Sequence, residues 1–469
     1  MTELPYPLTD LGLIRRYVRD WGNVTQYDPD TDSLFVWDGK RFALQRTDER
    51  TMALAKRVVL SLDDEVAREP DDARRDRLRK FAVAAQAQSR VAAVARGIKS
   101  EPDVWVDSRK YDQHAYLVNF LNGTLDIRTG ELRPHDPNDG LTKLIPVRYD
   151  PKAFSPGFEG LIDRTTANDP THDTAEFLRM ALGYMCLVGA NPEQRFFVLL
   201  GPKATGKSQL IEILIHILGG DYAYASQPKL ITRQRFGHHD SEMYALKGMR
   251  FVGISETEAA MDLDEARFKS LSGSAIQNVR RLYGQEEQVT TTWTVLVGTN
   301  EAPNIEKWDD AIKRRLIVIP SGPSLDDSEK DLHLADRILR DEAEGVVASL
   351  VRGAHRWWTL HQREGSAFTR LPAAVVAATS NFEQNNDHVA DFVSTFVDFG
   401  EGYSVSASEV DRAYRRHRGT DAALGRNGLY VRILEHCERL GHAVSKDARK
   451  FRGFRLADPD RPPALHWEP

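Results

Sequence analysis

The stretch FFVLLGPKATGKSQLIEIL, which begins at Phe196, constrains the fold more tightly than any other part of the chain. Its opening run, FFVLL, is apolar without alternation, as expected of a strand buried on both faces. The later run, SQLIEILIHIL, carries apolar residues at helical spacing. Between them, Gly201-Pro202-Lys203-Ala204-Thr205-Gly206-Lys207-Ser208 matches the G-x-x-x-x-G-K-S/T loop. Its glycines let backbone N–H groups turn inward around phosphate oxygens, and the positive end of the helix starting near Lys207 adds to the attraction. Lys207 is expected at the β- and γ-phosphates of ATP, and Ser208 on Mg²⁺. Strand, loop and helix repeat to about Pro320, which predicts an α/β fold with a mainly parallel sheet covered on both faces.

Hydrolysis at such a loop needs further groups at the tips of neighbouring strands. Arg250-Phe251-Val252-Gly253-Ile254-Ser255-Glu256-Thr257-Glu258 is an apolar strand with acids at its end. The usual form ends in two adjacent acids, one near Mg²⁺ and one polarising the attacking water. Ser255 stands in the first place, so Glu256 is assigned to water activation and the metal, with Glu258 as a second candidate. A third strand, Thr292 to Gly298, leads to Asn300, which can hydrogen-bond the γ-phosphate and the water or else cap the turn before Pro303. Arg314 and Arg315 precede the apolar strand IVIP. They are placed either to reach a neighbouring subunit's nucleotide or to stay solvated.

Composition sets the frame for these motifs. The chain has 469 residues, 41% hydrophobic and 28% charged, as in a globular protein of several domains rather than a disordered or membrane chain. No apolar run approaches membrane-spanning length, and the first residues lack the order of a signal peptide. The two cysteines, Cys186 and Cys437, exclude a Cys-based zinc ribbon and argue against a disulfide framework, so the cytoplasm of a bacterial host is the expected location. The reading divides the chain into an N-terminal α+β domain (1–150), a helical lead-in (151–195), the motor core (196–325), a helical lid and linker (326–387) and a basic C-terminal domain (388–469). Within the first, Tyr27–Leu44 reads as a hairpin, 65–98 as a helix pair, and NFLNGTLDIRTGELRPH as two short strands. The stretch EQNND at Glu383–Asp387 reads as a linker.

These motifs, in this order and spacing, resemble the superfamily 3 helicases. More closely they resemble the poxvirus-type and satellite-phage-type primase–helicases, whose helicase half has the AAA+ fold. The likeness extends to Phe268-Lys269-Ser270-Leu271-Ser272-Gly273 and Val279-Arg280-Arg281-Leu282-Tyr283-Gly284, which look like the family's lysine-bearing helix and the hairpin that projects into a ring channel. It covers roughly 115–320. The resemblance implies a homo-hexameric ring working on single-stranded and forked DNA, with Arg314 and Arg315 acting in trans. The hairpin tip, Gly284-Gln285-Glu286-Glu287, carries no lysine or histidine, so DNA contacts are assigned to Lys269, Arg280 and Arg281. A motor without a primase half, with a separate primase as partner, is the expectation, and DPDTD at Asp28–Asp32 reads as a turn.

Net charge is −6, so any DNA surface must be local. Residues 411–455 supply one, with twelve Lys/Arg against five acids. Ser406-Ala407-Ser408-Glu409 reads as a capping box opening one helix, and Asn427 can cap a second. Two short strands, HAVSK and FRGFRLA, follow around Asp447–Lys450. Helix, helix, hairpin is the winged-helix order, with Arg426, Arg432, Arg449 and Lys450 as candidate DNA contacts. Two other functions remain open: an ATP-dependent origin-binding or loader protein without unwinding activity, and a small-molecule phosphotransferase. The Arg280–Gly298 insertion argues against the latter, because a kinase needs a substrate lid beside the loop.

Overall fold

The computed structural model describes residues 6–167, 169–233, 240–255, 262–273, 276–280, 286–305, 308–386, 388–418 and 425–457. At its centre lies a five-stranded parallel sheet. In chain order its strands are β1 (Phe196–Leu200), β2 (Ala223–Ser226), β3 (Phe251–Ile254), β4 (Thr294–Thr299) and β5 (Leu316–Pro320). In space they run β5-β1-β4-β3-β2. The unbroken apolar run of β1 has a plain cause. Phe197 and Leu199 enter the core on one face of the sheet, while Phe196 and Val198 enter the core on the other.

The helices that position the site are α1 (Pro156–Thr165), α2 (Asp173–Leu187), α3 (Lys207–Tyr222), α4 (Glu265–Ser272) and α5 (Ala343–Glu364). Helices α1, α2, α3 and α5 share the first core. Helix α4 and a two-stranded hairpin, Ile276–Arg280 with Glu286–Thr290, build on the second. Helix α3 lies close on the sheet because Gly253 and Gly298 face Ile211. A Cβ would stand 2.6 Å from Ile211 Cγ2 at the first position and 3.0 Å from its Cδ1 at the second.

Residues 10–98 form a separate apolar cluster from the helices Asp10–Trp21, Glu49–Arg68, Asp72–Ala85 and Gln88–Gly97. The expected helix pair over 65–98 is Asp72–Ala85 and Gln88–Gly97, preceded by the longer helix Glu49–Arg68; the Asp71 carboxylate accepts from the Arg74 N–H at 2.8 Å and starts the first of the pair. The expected hairpin is a meander of three strands, Thr25–Asp28, Ser33–Trp37 and Phe42–Gln45, with the DPDTD turn between the first two. A second meander, Leu117–Phe120, Gly123–Asp126 and Glu131–Arg133, adds one strand to the two expected. Its Val118, Phe120 and Leu125 join the core of the parallel sheet, so packing crosses the expected boundary at 150. The buried Arg250 guanidinium fastens this junction, donating to the Leu117 carbonyl at 2.6 Å and lying 4.7 Å over the Tyr222 ring.

EQNND is not a linker over its described part. Residues 383–386 complete the helix Ala373–Asn386, whose Val375 and Phe382 are buried, and the polar residues occupy its end. Asp387 lies outside the described residues. Beyond it, the helices His388–Phe396, Ala407–Arg418 and Arg426–Arg439 pack with a three-stranded antiparallel sheet around their own core. The capping box holds: the Glu409 N–H donates to Ser406 Oγ at 3.2 Å, and the Ser406 N–H to Glu409 Oε2 at 3.1 Å. The second helix starts at Arg426 behind Gly425, ahead of the expected Asn427 cap. Among the described residues no helix is long and apolar enough to cross a membrane.

Candidate functional site

Register sets the site. Thr299 pairs with Leu200, so Asn300 follows β4 beside Gly201, where the chain leaves β1. The loop then closes under two restraints. Gly206 adopts φ 97°, and a Cβ there would lie 2.6 Å from Leu161 Cδ1 in α1. Thr165, at the end of α1, donates through Oγ1 to the Thr205 carbonyl at 3.1 Å. A left-handed turn pressed against a neighbouring helix requires glycine.

The result is a cleft of about 620 Å³ lined by Lys203–Gln209, Asn300, Arg164, Leu325 and Lys330–Leu332. Lys207 is 5% exposed, and its ammonium donates to the carbonyls of Gly201 at 2.8 Å and Pro202 at 2.6 Å. Burial lowers its pKa to about 8. Ser208 is exposed at the start of α3 and also lines the cleft. Lysines 203, 207 and 330 and Arg164 face one carboxylate, Asp331, which Arg337 already engages. Such a cleft favours an anion.

Several expected members are therefore together: Lys203 to Ser208 and Asn300. Gly201 and Pro202 supply carbonyls to Lys207 rather than lining the cleft. Glu256, Glu258 and Arg281 lie outside the described residues. Arg280 ends a hairpin strand opposite Glu286. Lys269 is paired with Asp309 instead of standing free. Arg314 and Arg315 precede β5, whose Leu316 pairs with Phe196. They therefore stand at the opposite end of the sheet from the loop, about 15 Å away at strand rise. Arg314 is exposed, whereas Arg315 is half-buried.

The cleft also contains residues the sequence did not single out. Arg164 closes α1, and Gln209 Nε2 donates to the Asp331 carbonyl at 3.0 Å, fixing the 330–332 wall beside α3. Neither carries a local motif. Only the packing of α1 and of the segment after β5 brings them to the loop.

In the C-terminal unit, Arg449 and Lys450 are exposed on the turn between Ser445–Lys446 and Lys450–Leu456. Their N–H groups donate to Asp447, which holds that carboxyl below its usual range. Arg426 is ion-paired with the buried Asp411 at 2.9 Å, and Arg432 is half-buried on the same helix.

Fold and cleft together define a mixed α/β protein with a parallel sheet and a cleft rich in lysine at one end of its strands. Residues 12–167 match the family described as "D5 N terminal like", and residues 199–315 match a "Family of unknown function (DUF5906)". The chain is similar to "Putative helicase L207/L206" of Acanthamoeba polyphaga mimivirus, 30% identical over 219 residues that cover 45% of this chain and 22% of that one. It is also similar to "Putative helicase 184R" of Invertebrate iridescent virus 6, 21% identical over 64% of this chain and 33% of that one. The chain thus spans a fifth to a third of these relatives. Among solved structures, the apo NrS-1 C-terminal region aligns over 94% of this chain and 99% of its own at 11% identity, with a TM-score of 0.46.

Proposed function

We propose that the chain is an ATP-driven DNA helicase motor of a phage, prophage or plasmid replication system, with an AAA+ core of the superfamily 3 kind. It works as a homo-hexameric ring on single-stranded and forked DNA, with a primase as its partner in replication. The carrying observation is the register that sets Asn300 beside the loop of Lys207 while holding Arg314 at the far end of the same sheet. A subunit's own arginine is out of reach of its own phosphates, whereas an exposed arginine at that edge suits a neighbour's.

The volume and charge of the cleft suit a nucleoside triphosphate. Loop N–H groups and Lys207 bind its β- and γ-phosphates, and Asn300 orients the γ-phosphate and the attacking water. Ser208 and Glu256 would hold Mg²⁺, which supplies charge neutralisation at the phosphates. Glu256 takes the proton of the attacking water, and Arg314 from the next subunit stabilises charge as the γ-phosphorus bonds to that water and its bond to the β,γ-bridging oxygen breaks, releasing ADP. The hairpin after α4 faces the strand being moved. The helices and strands after His388 form a winged helix whose turn, with Arg449 and Lys450, lies on phosphates without reading sequence. The two viral relatives with helicase in their names favour this reading over a loader.

Hydrolysis measured with and without single-stranded DNA tests the proposal. Turnover should rise with DNA, and Lys207→Ala should abolish it while the chain stays folded. Hydrolysis that persists in Lys207→Ala would remove the site from this cleft.

A further inference from the structure

The two arginines before β5 are held differently. The Arg314 side chain is exposed, while its carbonyl accepts from the Arg195 guanidinium. Arg315 turns inward. Its Nη1 donates to the carbonyl of Lys269 at 3.0 Å, and its Nη2 to Gln194 Oε1 at 3.3 Å.

Lys269 belongs to α4, the helix that leads into the hairpin. Its ammonium pairs with Asp309, the N-cap of the short helix Asp310–Lys313 that ends just before the arginines. Two contacts therefore run in opposite directions between the same two segments. The last residue of α4 is held as well. Asn191, 1% exposed, donates to the Ser272 carbonyl at 3.4 Å and to the Arg195 carbonyl at 3.0 Å, and accepts from the Arg195 N–H at 2.9 Å. Gln194 sits inside this junction at φ 53°, a left-handed conformation that non-glycine residues seldom adopt, and its N–H donates to the Asn191 carbonyl at 3.0 Å.

We infer that Arg315 is a positioning residue: with Gln194 it clamps α4 to the Arg314 segment, so that the hairpin and Arg314 of one subunit shift together. The planar fork of a guanidinium presents Nη1 and Nη2 at a fixed spacing to acceptors on two segments, a geometry that the single ammonium of a lysine does not reproduce. The inference rests on the nucleotide-driven ring proposed above, and gives it a route. Contact between Arg314 and a neighbour's nucleotide would pull on α4 through Arg315, and so on the strand-facing hairpin. Both segments belong to one hydrogen-bonded network, a contiguous route along which such coupling can be carried.

The experiment compares turnover of the full chain without DNA and with single-stranded DNA, beside amide hydrogen exchange, in Gln194→Ala, Arg315→Lys and Arg315→Ala. Gln194→Ala should keep DNA-free turnover and KM for ATP within about threefold, while stimulation by DNA falls at least about fivefold. Arg315→Lys and Arg315→Ala should lose more of the stimulation, in that order. Amides of 265–272 and 310–315 should exchange faster together, while those of α3 stay unchanged. Equal losses of DNA-free and DNA-stimulated turnover in Arg315→Ala, matching those of Arg314→Ala, would make Arg315 catalytic and overturn the clamp. So would unchanged exchange in both segments. If Arg315→Ala fails to fold, the other two variants decide by the same readouts. A wild-type chain with no turnover would sink the ATP reading alone, and the exchange data would still decide whether the clamp exists.

Discussion

Lys207 carries the most specific expectation at the scale of a residue. Burial holds its pKa at about 8, well below that of a free lysine. The folded chain therefore keeps this ammonium charged below about 8 and loses the charge as pH rises through it. Phosphates favour the charged form. Nucleotide affinity should thus be full on the acid side and fall by up to about tenfold per pH unit above it. Calorimetry in two buffers of different ionisation enthalpy should register proton uptake on binding near pH 8.5, about two units below the free-lysine range. Affinity flat from pH 7 to about 9 would show that Lys207 does not meet the phosphates. That the loop, Lys207 and Asn300 share one cleft was legible, because a phosphate-binding motif has residue types at fixed spacing. Arg164 and Gln209 were not, since what makes them part of the cleft is the docking of α1 and of residues 330–332, which no local pattern encodes. The difference between Arg314 and Arg315 was equally hidden: adjacent in sequence, they part only because Lys269 and Gln194 offer acceptors to one of them.

Elements were readable where one face or both are buried. Four of the five parallel strands announced themselves as apolar runs, whereas the edge strand Ala223–Ser226, with the sequence AYAS, did not; the capping box at Ser406 marked its helix. The missed strand Val397–Ser406 shows the opposite case. Its sequence VDFGEGYSVS holds two glycines and a bulge between Phe399 and Ser404, so its pairing with Lys450–Leu456 leaves no alternation to read. EQNND failed for another reason, because polar residues at the end of a helix look the same as a linker. At this scale the winged-helix reading makes its own prediction. Replacing Arg449 and Lys450 with alanine should leave the ATPase intact and reduce the slope of log affinity against log salt by about 1.4 to 1.8 for two phosphate contacts. Fluorescence anisotropy over a salt series checks this, and an unchanged slope would return the turn to an ordinary solvated surface.

At the scale of the whole molecule, the account requires more than one copy of the chain. An arginine supplied by a neighbour is worth about 10³ to 10⁵ in rate where it acts, so specific activity should climb with protein concentration as subunits assemble. Mixing Arg314→Ala with Lys207→Ala, each inactive alone, should recover part of the hydrolysis, because some interfaces then pair an intact loop with an intact arginine. A mixture that stays inactive while native mass spectra show mixed rings would place Arg314 outside the reaction. The central claim remains that this hydrolysis drives strand separation, and the direct measurement is displacement of a labelled strand from a forked duplex with ATP. The wild-type chain should displace the strand, and Lys207→Ala should not, at the same DNA occupancy. ATP hydrolysis stimulated by DNA with no strand released, at any protein concentration, would contradict it and leave a loader in its place.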